Sequence, residues 1–207
     1  MNNRSANVLH LVQVALLTAL VVVLQFMGSF IKIGPLPMSF VLVPIVIGAF
    51  LSGPKTGAFL GAVFGVITAA MGIAGVDAFS AMLWVANPVF FVVICLLKAI
   101  AAGLGAGLIY KALNAAFKGR YITVATVIAA VSAPVINTGI FAVGMLLFFN
   151  DTMVSLLPSF SGYTNALQVV FLGLAGVNFI GEFLVNLILS PAIVRVIDII
   201  RTKIRVH

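Results

Sequence analysis

Long apolar runs along the chain alternate with short polar breaks, and the runs have the length of membrane helices. The first covers residues 8–27 and gives way to a loop in which Gly34-Pro35 and Pro37 exclude regular helix. A shorter run at 38–52 meets the tight turn Ser52-Gly53-Pro54-Lys55, and a third continues over 56–74. Residues 75–86, with Asp77 and Trp84, form a second loop, and Asn87-Pro88 opens a fourth run to 110, Pro suiting a first helical turn. The basic segment 111–121 separates it from a fifth run, 122–149. A long loop to Thr164 precedes the sixth, 165–190, which Pro191 is expected to end or kink. Residues 192–207 alternate apolar and basic positions, the pattern of an amphipathic helix at a membrane surface. The pattern predicts an all-α bundle of six transmembrane helices forming one domain over 1–207.

Composition sharpens this. Of 207 residues, 63% are hydrophobic and 7% charged, where a soluble domain carries about a quarter. Mean hydropathy is +1.31. So few charges cannot cover a water-soluble body, and disorder needs the opposite composition. At about 20 residues per span, the chain has no room for a separate soluble domain. A cleaved signal peptide is the competing reading of the first run, but that run exceeds a usual signal core and no small-x-small site follows. Cys95, the single cysteine, can form no internal disulfide.

The net charge of +7 does not point to nucleic acid, because the basic residues form no exposed stripe. They sort by loop instead. With the N-terminus cytoplasmic, nine of the 11 Lys and Arg residues fall on the inner side and Lys32 alone on the outer side, beside Asp77 and Asp151. This positive-inside bias puts both termini in the cytoplasm. No internal repeat is evident, against the inverted-repeat plan of many secondary transporters.

Enzyme constellations lack their parts. His10 and His207 are the only histidines, and no metal-binding, Cys-His or serine-hydrolase motif is present. The segment Gly48–Thr56 nearly spells a phosphate-binding loop, but Pro54 interrupts the G-K-[ST] step and the flanks are membrane helices. No cofactor or metal is expected, and no ATP hydrolysis by this chain. Gly57, Gly61, Gly65 and Ala69 recur every fourth residue, a small-residue face suited to close helix packing in lipid. Ala15 and Ala19 form a shorter pair of the same kind.

Buried polarity is more informative. Lys98 lies 11 residues into its run from Asn87, roughly 16 Å deep at helical rise, and Glu182 lies as deep in the sixth run. A charge there is costly and faces the bundle interior by default. Asn178, Glu182 and Asn186 follow at i,i+4 spacing as one polar stripe. Counting from the outer ends puts Asn137 and Asn178 at the level of Lys98, below a mouth formed by Asn87, Trp84 and Gln168, with Lys32 on the same outer side. Lys98 and Glu182 form either an ion pair holding two helices together or the wall of a ligand cavity. A lysine among asparagines suits a small polar ligand with an anionic end.

Six helices, the Ala15-x-x-x-Ala19 pair and the absence of ATPase parts resemble the substrate-binding S components of energy-coupling factor (ECF) vitamin transporters. The stretches Ile31-Lys-Ile-Gly-Pro-Leu-Pro37, Ile47-Gly-Ala-Phe-Leu-Ser-Gly-Pro-Lys-Thr-Gly57, Gly61-x-x-x-Gly65 and Ala86-Asn87-Pro88 look most like the pantothenate branch. The resemblance implies a vitamin receptor in a bacterial cell membrane, docking onto a transmembrane coupling subunit driven by two ATP-binding-cassette ATPases. It implies that Ala15 and Ala19 contact the coupling subunit and that the ligand sits toward the outer face. An S component for another vitamin such as riboflavin is a related expectation, although a single Trp argues against flavin stacking. A self-sufficient proton- or ion-coupled carrier using Glu182 and a purely structural membrane protein are the readings from other classes.

Overall fold

The computed structural model describes the backbone of residues 3–30, 32–33, 36–37 and 40–205, and the side chains of 7–30, 40–176 and 178–195. Among the described residues, the regular structure is helical apart from one two-stranded hairpin. α1 (Asn3–Phe30) leads into β1 (Lys32–Ile33) and β2 (Leu36–Pro37), paired antiparallel with Lys32 opposite Pro37. There follow α2 (Leu42–Ser52), α3 (Pro54–Ile73), α4 (Ala78–Ala86), α5 (Pro88–Ala116) and α6 (Ile122–Phe148). Short α7 (Asn150–Ser155) and α8 (Ala166–Gln168) come next, then a π-helical turn over Val169–Leu174 that runs into α9 (Ala175–Arg205).

Among the described residues, five helices are long and apolar enough to cross a membrane: Asn7–Phe30, Pro54–Ile73, Pro88–Ala116, Ile122–Phe148 and Ala166–Arg195. The second expected span is shorter. α2 has 11 residues, about 16 Å at helical rise against a hydrocarbon layer of about 30 Å. It is nevertheless central, with Leu42, Ile45 and Val46 fully buried among its neighbours. Its end is set locally: Gly53 takes a positive φ of 95°, a conformation open to glycine, and Pro54 then starts α3.

Two further boundaries differ from the sequence expectation. Residues 78–86, expected as loop, are helical because the Asp77 carboxylate accepts from the Ser80 amide at 2.8 Å and caps α4. Pro191 lies inside α9 instead of ending it. Packing on both sides of a helix can outweigh one missing backbone hydrogen bond, and Ile193 just beyond the proline is buried. The basic tail is therefore a continuation of α9 as far as Arg205; the side chains beyond Arg195 fall outside the described residues.

The small-residue face of α3 does what its spacing suggests. Gly57, Gly61 and Gly65 lie against the backbone carbonyls of Gly103, Ala99 and Cys95 on antiparallel α5. A Cβ on Gly65 would sit 2.7 Å from the Cys95 oxygen, so only hydrogen fits. This close approach of backbones compensates for the weak hydrophobic drive between helices in lipid. α1 stands at the periphery. Leu17, Val21 and Gln25, four residues apart, form a buried stripe, while Leu11, Leu16 and Leu20 face outward.

The core divides along the bundle. One cluster joins α4, α5, α6 and the π turn through Phe79, Phe91, Met145, Phe149 and Leu174. Another fills the opposite end with Phe50, Tyr110, Ala125 and Ala129, where the Phe50 and Tyr110 rings stack at 4.3 Å. A third ties α1 and α2 to α3 and α5. The polar site lies beside the first cluster.

Candidate functional site

A cavity of about 80 Å³ lies between α1, α3, α4, α5, α6 and α9. Lys98, Asn137, Asn178 and Glu182 all line it, so the three side chains placed at one depth by counting meet in one space with Glu182, one turn further along α9.

Glu182 is the hub. It is 1% exposed, and its two carboxylate oxygens accept from different helices: Oε1 from Asn178 Nδ2 at 3.0 Å, and Oε2 from Asn137 Nδ2 at 3.4 Å. Asn186 Nδ2 donates to the Glu182 backbone carbonyl at 2.9 Å, completing the polar stripe of α9. An acid this deep is tolerable only with such partners.

Lys98 is not held the same way. It is half-buried, and its ammonium lies over the Phe141 ring, 5.2 Å from the centroid, a distance for cation–π attraction. Among the described residues, however, Lys98 has no hydrogen bond or ion pair. Of the two alternatives, the ion pair is not formed among the described residues: Glu182 is tied to two amides, and the three lysine donors have no protein acceptor there.

Sequence reasoning missed several lining residues. Gln25 of α1 donates to Thr68 Oγ1 at 3.3 Å and to Met71 Sδ at 3.9 Å, and both Gln25 and Thr68 reach the cavity. Thr138, next to Asn137, also lines it, and both Thr138 Oγ1 and Asn137 Oδ1 are buried without a protein partner. Gln25 carried a usable signal as a polar residue inside the first apolar run, four residues beyond Val21.

The expected mouth is placed differently. Asn87 caps α5 by accepting from the Phe90 amide at 3.3 Å. Trp84 packs edge-on against Phe91, centroids 6.3 Å apart. Gln168 accepts from the Thr164 amide at 2.6 Å in the turn before α9, where Asn165 provides the cap. None of the three lines the cavity. Helix starts need polar residues for orphan amides, and this local demand accounts for Asn87 and Gln168. The Lys32 side chain lies outside the described residues.

Ala15 and Ala19 sit elsewhere, exposed on the outward face of α1. Together with His10, Leu11 and Thr18 of α1 and Phe59 of α3 they line an open groove. Among the described residues no group of His, Cys, Asp or Glu could hold a metal ion.

The family model "ECF transporter, substrate-specific component" matches residues 9–194, a stretch that includes every residue lining the cavity. No curated protein sequence matches the chain.

Proposed function

Because the chain belongs to the family of ECF transporter substrate-specific components, we propose that its cavity is the vitamin site of a membrane-embedded importer subunit and that pantothenate is the ligand. Members of this family are non-catalytic substrate-binding subunits of membrane transporters. The single observation that carries the ligand assignment is the Lys98 ammonium, free of any protein anion among the described residues and facing a cavity lined by amides. Pantothenate matches this with a carboxylate for the lysine and with hydroxyls and an amide for the asparagines.

The remaining assignments follow the same reading. Lys98, Asn137 and Asn178 contact the ligand, and Glu182 supports them. Trp84, Asn87 and Gln168 belong to the segments over the outer end rather than to the cavity wall, and Lys32 belongs to the outer hairpin. Ala15 and Ala19 dock on a transmembrane coupling subunit, which two ATP-binding-cassette ATPases drive. Their place on an exposed groove of a peripheral helix supports this. The bias of basic residues supports a bacterial plasma membrane orientation with both termini inside.

The test is equilibrium binding of pantothenate to the purified chain, with Lys98→Met as the control. Uptake by proteoliposomes holding this chain alone, driven by an ion gradient without any ATPase, would overturn the subunit reading in favour of a self-sufficient carrier.

A further inference from the structure

The cavity contains three side-chain amides, and in each the NH₂ end is committed to the protein. Asn178 and Asn137 donate to the two oxygens of Glu182. Ionised carboxylates only accept, so neither amide can be turned around while Glu182 carries its charge. Gln25 donates to Thr68 Oγ1 at 3.3 Å, and Thr68 in turn gives its own hydroxyl proton to the Phe64 carbonyl at 2.9 Å. Thr68 can therefore only accept from Gln25, and the third amide is fixed in the same sense. The carbonyl oxygens remain. Asn137 Oδ1 is buried without a partner, and among the described residues the oxygens of Asn178 and Gln25 have none either.

We propose that Glu182 and Thr68 are positioning residues that set the polarity of these amides, so that the cavity recognises a ligand by hydrogen-bond donors placed beside one anionic group taken by Lys98. This rests on the reading of the cavity as the ligand site and narrows the substrate class. The favoured ligand combines an anion with two or more hydroxyl or N–H donors. A molecule offering only acceptors next to its anion leaves three amide oxygens desolvated and unpaired, and such groups are costly when buried. Glu182 thereby selects substrate without touching it.

Glu182→Gln separates this role from simple packing. A glutamine has the same shape, but its own NH₂ must donate to one asparagine oxygen, which turns that amide and presents a donor to the cavity. The full chain, purified in detergent, is titrated with pantothenate and with its di-O-methyl ether, which lacks the hydroxyl donors. The wild type is expected to bind the ether at least about tenfold more weakly. Glu182→Gln is expected to keep the unfolding midpoint, lose about tenfold in pantothenate affinity and no longer discriminate between the probes. Thr68→Val is expected to lose part of the discrimination through Gln25. Wild-type affinity and discrimination in Glu182→Gln would overturn the proposal.

A ligand-free measurement separates failure of this proposal from failure of the vitamin reading. In chain labelled with ¹⁵N-asparagine, the side-chain amide signals of Asn137 and Asn178 are assigned by their loss in Asn137→Asp and Asn178→Asp. Both signals are expected to shift in Glu182→Gln, and the absence of a shift overturns the amide-setting role. A wild type that binds neither probe overturns the pantothenate reading alone, and the asparagine signals still decide the rest.

Discussion

Lys98 and Glu182 line the same cavity, yet the acid spends its two oxygens on Asn178 and Asn137 while the lysine rests on the Phe141 ring. A pair built to hold two helices together would close on itself. Here the removal of one partner has unequal consequences. Lys98→Met loses a cation–π contact and sheds a charge from the membrane interior, so the unfolding midpoint is expected to stay or rise. Glu182→Leu strands the buried amide of Asn137, at about 1–3 kcal/mol, and the half-buried amide of Asn178, and the midpoint is expected to fall. Thermal unfolding of both variants in one detergent checks this.

The α3–α5 contact sets a second expectation. A side chain at Gly61 runs into the Ala99 carbonyl, which is backbone and cannot step aside. Gly61→Val is expected to destabilise by about 1–3 kcal/mol or more. Gly139→Ala in α6 is the control, because an added Cβ there meets nothing within 4 Å. It is expected to be neutral or slightly stabilising, given the better helix propensity of alanine. The two unfolding midpoints give the comparison.

The cap of α4 gives a third. Asp77→Ala removes the acceptor of the Ser80 amide and is expected to cost about 1 kcal/mol. Because Phe79, Ser80 and Leu83 of α4 line the cavity, pantothenate affinity is expected to drop with it, while Asp77→Asn, which can also cap, retains both. Loss of stability without loss of affinity would detach α4 from the site.

On the outward face of α1, bulky residues fill the groove that holds Ala15 and Ala19. The double variant Ala15→Trp, Ala19→Trp is expected to abolish co-purification with a coupling subunit and to leave pantothenate binding intact, since the groove and the cavity share no residue. Recovery of an undiminished complex would remove this face from the interface.

Much of this was legible in the sequence for identifiable reasons. Apolar runs marked the long helices, because lipid forces every backbone group into internal hydrogen bonds. Counting rise from helix ends brought Lys98, Asn137 and Asn178 to one level, with Glu182 slightly deeper, because depth along a straight helix depends only on residue number. Rotation about the axis was less legible. Gln25, Thr68 and Thr138 are neutral residues whose role depends on which face each helix turns inward. Asn87 and Gln168 looked like a mouth but serve helix starts, a use of polar side chains that depth alone cannot separate from ligand contact. The helicity of α4 turns on one capping bond from Asp77, and the passage of α9 through Pro191 depends on packing contributed by other helices.

Equilibrium binding of pantothenate to the purified wild-type chain and to Lys98→Met tests the central claim most directly. One ligand per chain at low-micromolar affinity or tighter is expected for the wild type, with a loss of about tenfold or more in the variant, the scale of a hydrogen bond to a charged group. No binding by the wild type, or equal affinity in both proteins, would contradict the assignment of this cavity as a pantothenate site anchored by Lys98.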